Sequence, residues 1–267
     1  LRVAAATPSV RVADPAYNRE QIETIIRSEA ARGTKVLVFP ELALSAYTCG
    51  DLFLQDALQE AVLRELRQLL HNTADSEVLC FVGLPFALEN RLYNAVAVFQ
   101  KGELLGLVPK LHIPNYGEFY ERRYFTPGFE APVLVPLFGE RLPFGARLLF
   151  SCENLPELKI GVEICEDLWV PNAPSIDLCT AGATLIVNCS ASNALAGKRK
   201  ARRELVKAQS SKLLAGYVYA SAGEGESTQD LVFSAHNLIA EAGEVLAESP
   251  LLTNTVVASE LDLKKIL

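Results

Sequence analysis

The chain has 267 residues, of which 50% are hydrophobic and 21% are charged. This composition excludes a disordered chain, and no apolar run approaches the ~20 residues that a membrane helix needs. The net charge of −7 and the pI of 5.2 argue against nucleic acid as a ligand, because general polyanion binders are basic. The sequence has no low-complexity linker and no signal-peptide core at its start, which predicts one soluble, cytoplasmic domain over residues 1–267.

The first half of the chain alternates between strand and helix patterns. Short apolar runs closed by turn residues predict five strands, over Val3–Thr7, Lys35–Phe39, Val78–Leu84, Leu92–Phe99 and Glu103–Val108. Apolar residues at helical spacing predict two helices, over Tyr17–Arg32 and Gln55–Leu70.

The second half is richer in strands. Residues Val133–Ile164 have a strand-rich pattern, and one further helix is predicted over Lys198–Ala215. Buried or paired strands are predicted over Thr184–Asn188, Tyr217–Ala222, Leu231–Glu241, Glu244–Glu248 and Thr255–Glu260. Buried runs after helices together with hairpins predict mixed sheets. Two facing sheets with helices outside would bury all these elements, so the sequence predicts a layered α/β fold.

Three of the predicted strands end beside a residue that could carry chemistry. Glu41 follows the strand that ends at Phe39, Lys110 follows Val108-Pro109, and Cys165 ends the apolar run from Leu158. Ligands gather at the carboxyl ends of strands in open α/β sheets, and a thiol, a carboxylate and an ammonium could form a nucleophile, a base and an electrostatic stabiliser. Residue order alone does not show that they meet, and solvated rim charges with an inert buried thiol are the alternative.

Longer motifs around these three residues resemble a known family. Val38-Phe-Pro-Glu41, Pro109-Lys110-Leu-His-Ile-Pro114 and Gly161-Val-Glu-Ile-Cys165-Glu-Asp-Leu-Trp169 are similar to the Glu, Lys and Cys motifs of the nitrilase (carbon–nitrogen hydrolase) superfamily. Tyr47-Thr-Cys-Gly-Asp-Leu-Phe53 and the run from Pro114 to Phe125 resemble one branch of it, the glutaminase domains of glutamine-dependent NAD synthetases. The run from Tyr217 to Thr228 carries the same resemblance, which extends from Val3 to about Leu263.

The resemblance implies a four-layer αββα sandwich in which Glu41, Lys110 and Cys165 are the catalytic triad. By this resemblance Cys165 attacks the side-chain amide carbon of L-glutamine, Glu41 takes and returns protons, and Lys110 stabilises the oxyanion beside the backbone N–H of Glu166. Water then hydrolyses the γ-glutamyl thioester to glutamate, and ammonia is released.

The resemblance also implies substrate contacts. Tyr47 and Tyr116 match positions that line the glutamine pocket, and Glu121 is favoured over Glu118 as the auxiliary glutamate near the triad. The positions that hold the α-amino and α-carboxylate groups of the substrate are matched by three further residues, Glu166, Ser192 and Lys198. Some relatives carry Arg at the last of these, and Lys neutralises a carboxylate without bidentate geometry.

Cofactors and partners are expected outside this chain. In the family, an ATP- and magnesium-dependent synthetase domain uses the ammonia to amidate nicotinic acid adenine dinucleotide. That domain is expected downstream or as a partner, so no cofactor is expected to bind here, and self-association into a homo-oligomer is expected by the same resemblance. The three histidines lack zinc-ligand spacing, so no metal is expected: they are His71, His112 and His236.

Two other functions stay open. The chain could be a stand-alone amidase or carbamoylase that acts on another small amide, or a catalytically idle domain that docks a partner. The basic run Lys198-Arg-Lys-Ala-Arg-Arg203 is interpreted as a solvated helix face or a subunit contact in an acidic chain. Gly223-Glu-Gly-Glu-Ser-Thr228 carries two acids and lacks the Gly-Lys-Ser/Thr ending of a phosphate loop.

Six cysteines are scattered without closely spaced pairs, and several lie in apolar runs: they are Cys49, Cys80, Cys152, Cys165, Cys179 and Cys189. This pattern favours reduced thiols over a disulfide framework.

Overall fold

Two β-sheets face each other, and helices cover the outer face of each sheet in this computed structural model, which describes residues 1–266. The predicted domain bounds, 1–267, end at Leu267, which lies outside the described residues. The strands of the first half are β1 (Arg2–Ala6), β2 (Val36–Val38), β3 (Leu79–Leu88), β4 (Arg91–Gln100), β5 (Glu103–Pro109), β6 (Asn115–Tyr116) and β7 (Phe119–Tyr120). Those of the second half are β8 (Val133–Leu137), β9 (Glu140–Phe144), β10 (Phe150–Cys152), β11 (Leu155–Ile164), β12 (Leu185–Ser190), β13 (Gly216–Ser221), β14 (Leu238–Glu241), β15 (Glu244–Glu248) and β16 (Val256–Glu260).

The helices lie between these strands. They are α1 (Pro15–Ala31), α2 (Asp56–Asn72), α3 (Pro174–Thr180), α4 (Lys198–Leu213) and α5 (Leu263–Ile266), with 3-10 turns at Gly50–Leu54, Glu121–Arg123 and Cys165–Leu168. One sheet has the order β16-β1-β2-β3-β4-β5-β9-β8, the other β10-β11-β12-β13-β14-β15, and β6 with β7 forms a separate hairpin. No described helix is long and apolar enough to cross a membrane.

The period-two alternation of the strands builds three apolar layers. On β1, Val3 and Ala5 point into the core between the two sheets, while Ala4 and Ala6 pack in the core that includes residues of α1 and α2. On β13 the alternation is the same: Val218 points into the core between the two sheets, whereas Tyr217 packs in the core shared with α4. Successive strand residues point to opposite faces of a sheet, so each sheet needs a helix layer on one side and the other sheet on its second side. The expected four-layer αββα sandwich is confirmed.

Local signals place α1 as the sequence predicts. The Asp14 side chain accepts a hydrogen bond from the Tyr17 N–H at 3.1 Å, and Pro15 occupies the first turn. Both features favour a helix start there. The helix ends before Gly33, whose φ of +80° is a conformation that glycine adopts without a steric cost.

One predicted strand is shorter than expected. The predicted strand Leu231–Glu241 is wrong over its first part, because only Leu238–Glu241 joins the sheet. The preceding backbone bonds to neighbouring loops instead: the Ser234 N–H donates to the Ser192 carbonyl at 3.0 Å. A period-two pattern cannot distinguish these two sets of partners. The short helix α3 was also missed.

Candidate active site

Three strand ends converge where the two sheets meet. Glu41 lies just beyond β2, Lys110 directly follows β5, and Cys165 directly follows β11. The Glu41 N–H donates to the Ser190 carbonyl of β12 at 3.3 Å, which ties the turn of one sheet to a strand of the other. Glu41 and Lys110 are fully buried, whereas Cys165 keeps 7% of its surface exposed.

Lys110 lies between two carboxylates. Its Nζ donates to Oε1 of Glu41 at 2.5 Å and to the two carboxylate oxygens of Glu121 at 2.8 and 3.0 Å. Asn94 Nδ2 donates to Glu41 Oε1 at 2.6 Å, and the Tyr47 hydroxyl donates to Glu121 Oε1 at 2.8 Å. These contacts fix Oε1 of Glu41, while its Oε2 is buried and has no hydrogen-bond partner among residues 1–266.

Burial dominates the electrostatics of this cluster. It raises the pKa of Glu41 to about 7, although Lys110 lowers that pKa and Glu121 raises it. Burial disfavours the charged form of Lys110, but the two carboxylates hold the pKa of its ammonium above the usual range. Lys110 therefore stays charged near neutral pH, while Glu41 is poised between its acid and base forms.

The Cys165 backbone turns sharply between β11 and the 3-10 turn that follows. Its φ is +45°, a left-handed conformation that is costly for a residue with a Cβ. Two side chains hold this turn: Asn188 Oδ1 accepts from the Cys165 N–H at 3.1 Å, and Asp167 Oδ2 accepts from the Ile164 N–H at 3.0 Å. Strained residues of this kind gather at functional sites.

The Cys165 thiol needs a base to ionise. Burial raises its pKa above the usual range, the charges of Glu41 and Glu121 raise it further, and Lys110 lowers it. The Cys165 Sγ also lies 3.9 Å from the Ala191 carbonyl oxygen, one residue beyond Ser190, whose carbonyl accepts from the Glu41 N–H, so the thiol and the Glu41 turn meet at the end of β12. Since a thiol is a weak nucleophile until it loses its proton, Cys165 needs a proton acceptor, and the buried carboxylate of Glu41, with a pKa of about 7, is the candidate.

Four of the six candidate substrate contacts line two openings. Tyr47, Glu118 and Glu121 line one open cavity, and Cys165 is not among its lining residues. Tyr116 and Glu166 line a second depression, where the Tyr116 hydroxyl donates to the Glu166 carboxylate at 2.8 Å. The two candidate auxiliary glutamates have different partners. Glu121 accepts a hydrogen bond from Lys110, whereas Glu118 accepts one from Asn193.

Ser192 and Lys198 lie on a different wall: Ser192 follows β12, and Lys198 is the first residue of α4. Lys198 Nζ donates to Asn193 Oδ1 and lies 5.6 and 5.5 Å from the ring centroids of Phe119 and Trp169. Burial lowers the pKa of the Lys198 ammonium, and Cys165 opposes this effect. The Ser192 hydroxyl accepts from Arg202 Nη2 at 2.8 Å.

The expected solvated face at Lys198–Arg203 is wrong for one residue. Arg202 is fully buried, whereas Arg199 and Lys200 are exposed. A charged residue of this run turns inward because helical spacing places it on the side of α4 that packs on the sheet, and its guanidinium finds polar partners there. In the loop of residues 223–228, Glu226 accepts hydrogen bonds from the backbone N–H groups of Tyr47 and Thr48.

Two residues of the candidate site were not predicted from the sequence. Asn94 and Asn188 are buried amides inside apolar strands, and they hold Glu41 and the Cys165 backbone respectively. A lone amide in an apolar strand is a usable signal, because a buried polar group needs a partner. Among residues 1–266, no group of three His, Cys, Asp or Glu side chains is placed to hold a metal ion.

The same sequence matches known proteins along its length. The Mycobacterium tuberculosis (strain ATCC 25618 / H37Rv) glutamine-dependent NAD(+) synthetase is 42% identical over 249 residues, covering 93% of this chain and 37% of that protein. The Thermotoga maritima enzyme of the same name is 32% identical over 265 residues, covering 98% of this chain and 42% of that protein. The chain therefore spans about two fifths of the length of these relatives.

Solved structures share the fold. A glutamine-dependent NAD(+) synthetase from Cytophaga hutchinsonii superposes with a TM-score of 0.87 at 27% identity, over 97% of this chain and 42% of that chain. An amidase from Nesterenkonia sp. superposes with a TM-score of 0.77 at 20% identity, over 100% of this chain and 92% of that chain. The family model for carbon–nitrogen hydrolases matches residues 2–266. This chain therefore belongs to the carbon–nitrogen hydrolase family.

Proposed function

We propose that this chain is a glutaminase that hydrolyses the side-chain amide of L-glutamine to glutamate and ammonia. The observation that carries the proposal is the buried Glu41–Lys110 pair beside the Cys165 thiol, with Oε2 of Glu41 left unpartnered among residues 1–266. The choice of glutamine is supported by relatives named glutamine-dependent NAD(+) synthetase, which match 93% of the chain or more.

The first half of the reaction forms a thioester. Glu41 Oε2 takes the thiol proton as Sγ of Cys165 bonds to the amide carbon, and the carbonyl oxygen becomes an oxyanion. The Lys110 ammonium and the backbone N–H of Glu166 stabilise that charge, and one such donor is worth ~10²–10³ in kcat. Glu41 returns the proton to the amide nitrogen, the C–N bond breaks, and ammonia leaves the γ-glutamyl thioester.

The second half restores the enzyme. Glu41 takes a proton from water as the water oxygen attacks the thioester carbon, the C–S bond breaks, and the proton returns to the Cys165 sulfur. Tyr47 and Glu121 hold the base and the ammonium in place, while Tyr116, Glu166, Ser192 and Lys198 surround the amino acid end of the substrate. The Lys198 ammonium supplies the charge for the α-carboxylate.

We propose that the ammonia feeds a synthetase domain, in the same longer chain or in a partner, that amidates nicotinic acid adenine dinucleotide. The relatives' names and the share of their length that this chain spans support this proposal. ATP and magnesium are proposed to bind that domain, with no cofactor in this one. Self-association and a cytoplasmic location stay predictions.

Ammonia release from glutamine tests the proposal. In the full-length protein, with the nucleotide substrates present, we expect glutamine to be preferred over asparagine and short aliphatic amides. Cys165→Ala is expected to reduce the rate by ~10⁴-fold or more. A glutamine-analogue electrophile should label Cys165 and not the variant.

Two results would contradict the proposal. Preference for another small amide would assign the chain to the amidases or carbamoylases. Absence of both hydrolysis and labelling in the full-length protein would identify a docking domain.

A further inference from the structure

Arg202 reaches from α4 into the wall of the candidate substrate site. Its Nε and Nη2 donate to the Ser192 hydroxyl at 3.2 and 2.8 Å, and Nη2 also donates to the Asn193 carbonyl at 2.9 Å. Ser192 and Asn193 follow β12, and Asn193 Oδ1 accepts from Lys198. One buried guanidinium therefore holds both the serine and the residue that bonds to the lysine proposed to bind the substrate.

The positive charge of Arg202 has no direct counter-charge. No carboxylate of residues 1–266 lies within 4.0 Å of its guanidinium, although the side chain is fully buried. Its Nη1 instead donates to His236 Nδ1 at 3.0 Å, and His236 Nε2 contacts Glu248 Oε1 at 2.9 Å. A guanidinium has no acceptor, so His236 Nδ1 carries the lone pair and Nε2–H donates to Glu248.

Glu248, at the outer end of this series of hydrogen bonds, already has positively charged partners. Arg199 and Arg203 pair with the Glu248 carboxylate at 2.9 and 3.0 Å. Neutral His236 therefore orients Arg202 without cancelling its charge, and burial lowers the pKa of this imidazole. Keeping an uncompensated charge in the interior is costly, and such a cost is typical of positions that serve a ligand.

We infer that Arg202 is a positioning residue for an anionic substrate, oriented by His236 and Glu248. It fixes Ser192 and Asn193 and leaves a positive potential behind them, which favours a substrate whose end opposite the amide is a carboxylate. This inference rests on the proposed function, because the carboxylate is that of glutamine. It predicts that the network governs substrate binding and leaves the thiol chemistry intact.

Two measurements on the full-length protein separate binding from chemistry. The first is KM and kcat for glutamine hydrolysis, and the second is the rate at which iodoacetamide alkylates Cys165, followed by mass spectrometry of its peptide. We expect Arg202→Met to raise KM for glutamine by about tenfold or more, as loss of a charge-assisted hydrogen bond would. Alkylation of Cys165 and kcat should change much less. Lys200→Met, an exposed position of the same helix, is the control and should match the wild type.

A second pair of variants tests the network if Arg202→Met does not fold. His236→Gln can accept from Arg202 and donate to Glu248, whereas His236→Leu can do neither. We expect His236→Leu to raise KM for glutamine and His236→Gln to restore most of the loss. An unchanged KM in folded Arg202→Met or His236→Leu protein would overturn the inference.

Two further outcomes are decisive. A rise in KM that is matched by equally large losses in kcat and in the rate of Cys165 alkylation would show a general structural role. That result would also overturn the inference. A wild-type protein that does not hydrolyse glutamine would overturn the proposed function, and the inference with it, before any variant is compared.

Discussion

The carboxyl group of Glu41 shows how burial would prepare a single residue for the two roles proposed for it, proton acceptor and proton donor. An exposed glutamate is ionised at neutral pH and has little affinity for a proton. In this chain, burial raises the pKa of Glu41 to about 7 against the opposing effect of Lys110. A catalytic group with a pKa near the working pH can both take and return a proton.

We predict an acid limb near pH 7 in the pH profile of kcat/KM. Glu41 must be ionised to accept the thiol proton, and its raised pKa of about 7 means that protonation removes the base below that pH. Activity should then fall about tenfold per pH unit well below the pKa. Glu41→Gln should cost ~10²–10⁴ in kcat and remove this limb.

Asn94→Ala sharpens this prediction. In the wild type, the Asn94 amide donates to Glu41 and lowers the pKa of that carboxyl. Its removal should therefore move the acid limb to higher pH. An acid limb that stays in place in Asn94→Ala and Glu41→Gln would assign it to another group.

At the scale of elements, close packing behind the Glu41 turn positions the proposed base. Gly83 lies on β3 directly beside that turn, and a Cβ there would come within 2.2 Å of the Leu42 nitrogen and 2.5 Å of the Pro40 carbonyl oxygen. These are backbone atoms and cannot rotate away. The Gly83 carbonyl also accepts from the Leu44 N–H at 3.0 Å, so strand and turn move together.

We predict that Gly83→Ala lowers both stability and activity. Forcing a methyl group against the turn should cost about 2–3 kcal/mol in the free energy of unfolding and displace Glu41. Urea unfolding and kcat measure the two effects. Gly33→Ala is the control: its φ is +80° and no atom lies within 4 Å of a Cβ there, so it should cost ~1 kcal/mol of stability and leave kcat unchanged.

Activity at the wild-type level in Gly83→Ala would show that the position of the Glu41 turn does not limit catalysis.

At the scale of the whole molecule, each sheet is shared by two apolar layers. The core that contains Leu66 lies on one outer face, the core beside Trp169 lies on the other, and the core between the sheets joins them. Because both sheets contribute to the middle layer, loss of one outer layer exposes the next. The molecule should therefore unfold in one cooperative step.

Leu66→Ala tests this cooperativity. The cavity should cost about 2–5 kcal/mol, and the unfolding transition of Trp169 fluorescence should shift with that of far-UV circular dichroism. Trp169 is the only tryptophan of the chain, and it lies on the far side of the sandwich from Leu66. Leu134→Ala on the exposed edge strand should change stability by less than about 0.5 kcal/mol. A fluorescence transition that does not move in Leu66→Ala would show that the layers unfold separately.

The sequence by itself determined most of the long helices and strands and the residues at their ends. Periodicity and turn residues are local signals, so the helix before Gly33 and the strands that precede Glu41, Lys110 and Cys165 could be predicted directly. The motifs at these strand ends extended the prediction to the αββα sandwich. The prediction of one strand over Leu231–Glu241 was wrong in its first part. Hydrophobic alternation indicates which residues are buried, but it does not show which backbone groups they bond to.

Only the tertiary structure decided which side chains meet. Glu118 and Glu121 are three residues apart, yet they have different hydrogen-bond partners. Glu118 bonds to Asn193 and Glu121 to Lys110, because the hairpin and the turn direct the two side chains apart. Arg202 belongs to a run of basic residues and is nevertheless buried on His236, 34 residues away. Such contacts depend on how distant elements pack, and burial then sets the pKa of each group, which no local pattern encodes.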